Sequence, residues 1–301
     1  MKTYKIDTAI TAENVNKMKT AVNYRGQTVI SDKVTWKIAY CQSLGAEDIA
    51  AAGSSGISRK DGILINRWSL FFSRRYRGKM LEIAGLSGFA GNNPLCIIRA
   101  MDPDSICSKC FSFIGSKRSN LAAWTKNDVI LSTVTFEPGD VVLDPDLIPE
   151  MRFSTHGDLI NAQHAYNLLT IAAGNPQVQF TLWTKNHKYY AAGLKMFIEK
   201  YGSKPENMRV LFSGSRLDYM YTEKQLFALK AHGYDGIFSV YATRASHAAA
   251  VAASAYSCVC GSGSCKHRCH FCYDYFRSWT GTGSDKAVWI AEILDGENHK
   301  E

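Results

Sequence analysis

Thiols are the residues of this chain with the most chemistry in them. Seven of its nine cysteines fall into two clusters. Cys107 and Cys110 form a C-x2-C pair, while Cys258, Cys260, Cys265, Cys269 and Cys272 place five thiols within 15 positions. A C-x2-C turn lets two thiolates from one tight turn reach a single metal or cluster, and the x3 and x2 spacings in CKHRCHFC do the same for three more. In a reducing compartment such density points to metal rather than to disulfides. Zinc and iron–sulfur clusters both take thiolates. A closed zinc site wants four ligands, and His267 and His270, inside the second cluster, are the right type. A [4Fe–4S] cluster wants four cysteines, or three when one iron is left for an external ligand. The seven clustered thiols fit one four-cysteine site plus one three-cysteine site, or a single site shared between the two segments. Cys96 lies 11 positions before Cys107 and is a candidate third ligand of the first site. Cys41 reads as a small buried hydrophobe.

The second chemistry-bearing feature is basic. Between Arg59 and Lys79 seven cations (Arg59, Lys60, Arg67, Arg74, Arg75, Arg77 and Lys79) face one acid, Asp61. Trp68, Phe71, Phe72 and Tyr76 are interleaved with them. Single-stranded nucleic-acid platforms combine these residue types. The plainer reading is a solvated basic face over packed aromatics. An anionic small molecule or a nucleic acid is the partner this segment suggests.

The elements that must position these groups read as follows. Ala12 to Val22 suggests a helix, Thr35 to Tyr40 a strand, and Ser54-Ser55-Gly56 a loop. Pro94 to Arg99, PLCIIR, reads as a buried strand running into the first cysteine loop. Ser112 to Asn127 is a helix candidate. A rhythm follows: strand Met151–Ser154, helix Ala162–Ala173, strand Val178–Trp183, helix Tyr189–Tyr201, strand Met208–Phe212, helix Glu223–His232, strand Gly236–Tyr241. This βα alternation with short links predicts parallel strands and crossover helices. The expected fold is α/β, a partial or complete (β/α) barrel with a cysteine-rich, metal-binding C-terminal segment. Residues 1–90 form a mixed N-terminal region, 91–250 the βα-repeat core and 251–301 the metal-binding segment.

In such folds function gathers at the C-terminal ends of the strands. Here those ends carry His156 and Asp158, then Lys185, then Ser213 and Arg216, then Arg244 and His247. Asp158, Lys185 and His156 are the candidate catalytic residues. Ser213, Arg216 and Arg244 are the candidates for holding an anionic cofactor or substrate group. The blander role for a strand-end aspartate is capping a helix. No G-x-S-x-G, Walker A or G-x-G-x-x-G pattern is present, which weighs against a hydrolase, P-loop or dinucleotide-binding reading.

Composition agrees with a folded chain: 301 residues, 46% hydrophobic, 21% charged, with a net charge of +8. No apolar run is long enough for a membrane span, and the first residues show no apolar core of a secretory leader. The cytoplasm is the expected compartment.

The stretches MDPDSICSKCFSF, Asn127, MRFSTHGDLINAQHAYNL and FTLWTKN resemble a phage family known as gene product eighty-eight. That family has a cysteine-rich loop, a strand ending in Gly-Asp, another ending in Thr-Lys, and a cysteine-rich C-terminus. The matching positions are Cys107, Cys110, Phe111 and Ser112, then Gly157-Asp158, Thr184-Lys185 and Cys258 to Cys272, spanning roughly residues 80–275. The family's first loop often carries another cysteine just before the pair, where this chain has Asp102-Pro103-Asp104. The resemblance therefore implies that Cys96 or a C-terminal cysteine supplies the missing ligand. If the chain is phage-encoded, it works in the host cytoplasm.

The layout also resembles radical S-adenosylmethionine enzymes, although only the C-x2-C half of their C-x3-C-x2-C motif is present. That resemblance implies one or two [4Fe–4S] clusters with S-adenosylmethionine as co-ligand, and a radical or other redox reaction. Zinc in a nucleic-acid or protein interaction module is the alternative.

Overall fold

The computed structural model describes residues 59–74, 83–102, 105–110, 112–113, 118–253 and 288–293, with isolated positions between 37 and 48. The expected helix at Ala12–Val22, the loop at Ser54–Gly56, and Cys258 to Cys272 with His267 and His270 lie outside the described residues.

Seven strands form one sheet in the order β2-β3-β5-β6-β7-β8-β9. They are β2 (Phe72–Arg74), β3 (Ala84–Leu86), β5 (Glu150–Phe153), β6 (Gln179–Thr184), β7 (Met208–Leu217), β8 (Gly236–Tyr241) and β9 (Val288–Ile293). Only β2 runs antiparallel to its neighbour; from β3 to β9 every pairing is parallel. The six parallel strands follow one another in chain order, with no reversal. A separate antiparallel pair joins β1 (Ile63–Asn66) to β4 (Val141–Leu143). The sheet thus draws strands from all three stretches of the chain distinguished by sequence.

The helices are α1 (Pro94–Ala100), α2 (Arg118–Thr133), α3 (Ala162–Ala173), α4 (His187–Tyr201), α5 (Glu223–Ala231) and α6 (Arg244–Ala253). Side-chain alternation divides each strand between two faces. Met151, Phe153, Phe180, Leu182, Met208 and Val210 share one core with Ile130 of α2, Leu168 and Ile171 of α3, and Leu194 and Phe197 of α4. Ile237 and Tyr241 pack with Ala250 of α6, beside Leu229 of α5. Helices α2 to α6 therefore cover one face of the sheet. Each fully buried large side chain in this layer stabilises the fold by about 1.5–3 kcal/mol.

The βα rhythm from β5 to β8 matches the sequence reading, with helix starts fixed by side-chain caps; α6 follows unread. Asn161 accepts from the His164 N–H, Asn186 from Tyr189 and Thr222 from Gln225. Three expectations are corrected. Pro94 to Arg99 is helix rather than strand, because Asn93 accepts the Leu95 N–H as its N-cap and Pro94 occupies the first turn. Lys37, Ala39 and Tyr40 are helical, so no strand ends at Tyr40. Strand β7 continues through Ser213, Ser215 and Arg216 to Leu217, with an irregularity after Ser213, so these residues lie within the strand.

The basic-aromatic stretch is mostly framework where it is described. Phe71 and Phe72 are buried, and Trp68 stacks on Phe136. Arg67 and the Trp68 indole both bond to Asp140, and Arg74 donates to the Leu147 carbonyl. Arg75, Tyr76, Arg77 and Lys79 lie outside the described residues.

Candidate functional site

The connection from β3 to α2 carries three cysteines over the C-terminal ends of the parallel strands. It leaves β3 at Ser87, forms α1 with Cys96 in its first turn, and makes a 3-10 turn at Ile106–Lys109 containing Cys107, with Cys110 as its C-cap. Ser105, just before that turn, forms an antiparallel bridge with Arg216 at the far end of β7. The cysteine turn therefore reaches across from β3 to β7.

Polar side chains fix this connection. Asn93 Nδ2 donates to the carbonyls of Asp158 and Leu159, each at 2.9 Å. Asn127 in α2 accepts from the Phe71 N–H at 2.7 Å and donates to the Phe71 and Ser87 carbonyls at 2.8 Å. Gly88 N–H donates to the His156 carbonyl at 3.1 Å. Gly157, at φ +76°, places its Cα against the Gly88 backbone, so a side chain there would meet both strain and contact.

Cys96, Cys107 and Cys110 are free thiols within electrostatic reach of one another. Burial pushes the Cys96 thiol well above the usual range; Asp158, Cys107 and Cys110 push the same way, and Lys185 opposes them. Cys110 is likewise raised by burial and by Cys107. The neighbouring Ser112 backbone and Lys185 favour its thiolate, while the Phe113 N–H bonds the Cys110 carbonyl at 3.1 Å. Among the described residues no three His, Cys, Asp or Glu side chains converge closely enough to hold one metal ion. Two buried hydroxyls next to the thiols in sequence, Ser108 Oγ and Ser112 Oγ, have no hydrogen-bond partner among the described residues. Cys41 is buried against Phe71, Phe89 and Trp124, its thiol pushed by burial to about 12, and is core as expected.

Asp158 faces this cluster but spends its carboxylate on the fold. Oδ1 accepts from Thr184 Oγ1 at 2.5 Å and from the Leu159 N–H at 2.7 Å; Oδ2 accepts the Lys185 N–H at 2.9 Å. Its role in this geometry is to lock the β5 loop to the β6 loop. Lys185 reaches the opposite way, its ammonium 2.8 Å from Ser213 Oγ on β7. His156 is buried and stacked on Trp124, with ring centroids 4.4 Å apart. Arg216 and Arg244 are exposed, one at the end of β7 and one at the start of α6. His247, buried in α6, meets Tyr241 edge-on and has no partner at Nε2. The structure thus brings together Cys96, Cys107, Cys110, Asp158, Lys185 and Ser213, and leaves Arg244 on the periphery.

Sequence reasoning missed the residues that build this framework, above all Asn93 and Asp128. Asp128 is buried in α2, accepts from the Phe89 N–H and Asn92 Nδ2 at 2.9 Å each, and is raised by burial to about 7. An Asn-Asp pair running straight into the apolar stretch Val129–Leu131 was the available signal.

Comparison of the chain with family models, with curated proteins and with solved structures returned no match. Among the described residues no helix is long and apolar enough to cross a membrane.

Proposed function

We propose that the C-terminal ends of the parallel strands form an iron–sulfur site and that the chain is an iron–sulfur enzyme of the (β/α)-barrel type. The observation that carries this reading is the proximity of Cys96, Cys107 and Cys110 to one another and to Lys185 on the connection after the first parallel strand. Thiols within electrostatic reach of one another are the donor type such a group takes, and two buried hydroxyls, Ser108 Oγ and Ser112 Oγ, lack partners among the described residues. The three thiols do not by themselves converge on one ion, so the reading needs further ligands. A cluster would supply a one-electron donor or an open iron acting as Lewis acid. Cysteines of the 258–272 segment supply further ligands in this reading, for the same cluster or a second one.

The barrel assignment extends the sheet's architecture. Six parallel strands in chain order, with α2 to α6 on a single face, follow the winding of a (β/α) barrel rather than of an open sheet covered on both faces. The similarity to radical S-adenosylmethionine enzymes, and to the phage family, belongs to the same proposal. S-adenosylmethionine is the co-ligand it implies, set against the cluster's open iron.

The chain's own residues have distinct parts. Asp158 holds the β5 and β6 loops at a fixed spacing. Lys185, directed by Asp158 through its backbone, places a cation between the thiols and Ser213. Asn93 keeps α1, and with it Cys96, in register with the Asp158 loop. The test is iron retention after substitution. Cys107→Ser and Cys110→Ser are expected to remove iron from anaerobically purified protein. Full iron in both variants would place the ligands elsewhere.

A further inference from the structure

The sheet face opposite α2 to α6 is mixed: Leu211, Phe238 and Val240 share it with polar residues, some of whose buried donors lack acceptors among the described residues. Arg152, Thr181 and Arg209 stand in register on adjacent strands β5, β6 and β7 and so share that face. Two positions further along β6, Trp183 lies under the Arg152 guanidinium, 4.0 Å from its ring centroid, and contacts Phe238 of β8 at 4.6 Å. One step more brings Lys185 onto Ser213. Thr181 is only 3% exposed, and among the described residues its hydroxyl has no hydrogen-bond partner. The buried Trp183 Nε1–H and Arg209 Nε–H have none there either, although Arg209 Nη1 donates to the Glu206 carbonyl. Arg152 and Arg209 share this face with Glu150, and at its C-terminal edge Lys185 lies beside Asp158, which accepts the Lys185 N–H.

Buried polar groups are almost always satisfied, so orphaned donors in a built face mark a missing acceptor. An indole N–H and a guanidinium N–H can only donate. The excess of donors and of positive charge selects the ligand's chemistry. We propose that this face binds an anionic, acceptor-rich substrate group, a carboxylate or a phosphate, through Trp183 Nε1–H and Thr181 Oγ1–H, with Arg152 and Lys185 supplying charge. The inference names the substrate class for the site proposed above and rests on that reading for its catalytic meaning. Lys185 ties the two regions together, because it is felt by Cys96 and Cys110 at one side and bonds Ser213 at the other.

The test follows the indole N–H resonance of Trp183 in tryptophan-labelled full-length protein, assigned with Trp183→Phe. Inorganic phosphate and acetate are titrated separately, into iron-loaded and metal-free preparations. A saturable shift of that resonance with either anion is expected, and the effective anion names the group. Affinity is expected to fall about fivefold in Thr181→Val, the worth of one hydrogen bond, and about tenfold or more in Arg152→Gln, where a charged donor is lost. Thr181→Val keeps the buried volume, so it carries the test if Arg152→Gln does not fold. No saturable shift with either anion, or affinities unchanged in both variants, overturns the inference. Iron without anion binding overturns this inference alone. Anion binding by a protein that never holds iron leaves the inference standing and overturns the cluster reading.

Discussion

Asp158 accepts the Lys185 backbone N–H at 2.9 Å while the Lys185 ammonium points away to Ser213. The two residues are partners through the main chain, not through opposite charges. Asp158 is a structural latch, and Lys185 is the group it presents to the site. Asp158→Asn leaves one oxygen to serve bonds that two served, and a buried hydrogen bond to a charged acceptor is worth about 1.5–3 kcal/mol. Urea unfolding is expected to show that loss, and a smaller one, about 0.5–1.5 kcal/mol, for Lys185→Met. A neutral Asp158→Asn would mean that the latch does not hold the loops.

The turn after β3 is equally constrained. A Cβ on Gly88 would stand 1.8 Å from Asp128 Oδ1, and Asp128 is held by the Phe89 N–H and by Asn92. Gly88→Ala is expected to cost about 3 kcal/mol or more in thermal or urea unfolding, at the upper end of overpacking. Gly139, unlike Gly88, has positive φ, +99°, but nothing lies within 4 Å of its added Cβ. Gly139→Ala should therefore cost only its backbone strain, about 1 kcal/mol. Equal losses in the two variants would contradict the packing account.

Asp128 makes stability depend on pH. Burial raises its carboxyl to about 7 in the folded chain from the ordinary aspartate value of 3.8. The folded state therefore binds more protons than the unfolded state between these values, and stability falls as pH rises through that window. The contribution is fully present below about pH 4 and lost by a little above pH 7. Asp128→Asn keeps an acceptor for the Phe89 N–H and cannot ionise. It is expected to flatten this part of the stability profile between about pH 4 and pH 7 in urea titrations. A slope unchanged by the substitution would assign the pH dependence to other groups.

The thiols separate by role. Cys41→Ala empties part of a well-packed core and is expected to cost about 1 kcal/mol with metal content unchanged. Cys110→Ser, by contrast, should lower metal content in elemental analysis. Metal loss in Cys41→Ala would bring Cys41 into the ligand set.

The sequence was most readable where local signals agreed. From β5 to β8 each helix begins at an Asn or Thr cap and its apolar residues repeat toward one face, so strand and helix order could be read directly. Reading failed where a short apolar run fits either state. PLCIIR looks like a strand, yet the preceding Asn-Pro is a helix start, and that cue should have outweighed the β-branched residues. Ser213-Gly214-Ser215 looked like the end of a strand, but pairing with β8 resumes at Leu217. Strand β9 went unread although VWIAEI begins with β-branched and aromatic residues. At the site, residue types were legible and their duties were not. Asp158, Asn93 and Asn127 carry side chains suited to catalysis and spend them on backbone groups, a choice settled by neighbours far away in sequence. The unmet donors of Thr181 and Trp183 could not be seen from sequence, because only the registered strands show that nothing among the described residues accepts their hydrogens.

Metal content decides the central claim most directly. Protein purified without oxygen is assayed for iron, acid-labile sulfide and zinc, and its visible spectrum is recorded. The account predicts brown protein with about four irons and four sulfides per cluster and a broad band near ~400 nm. Colourless protein holding about one zinc and no iron would contradict it and move the chain to a zinc-stabilised fold.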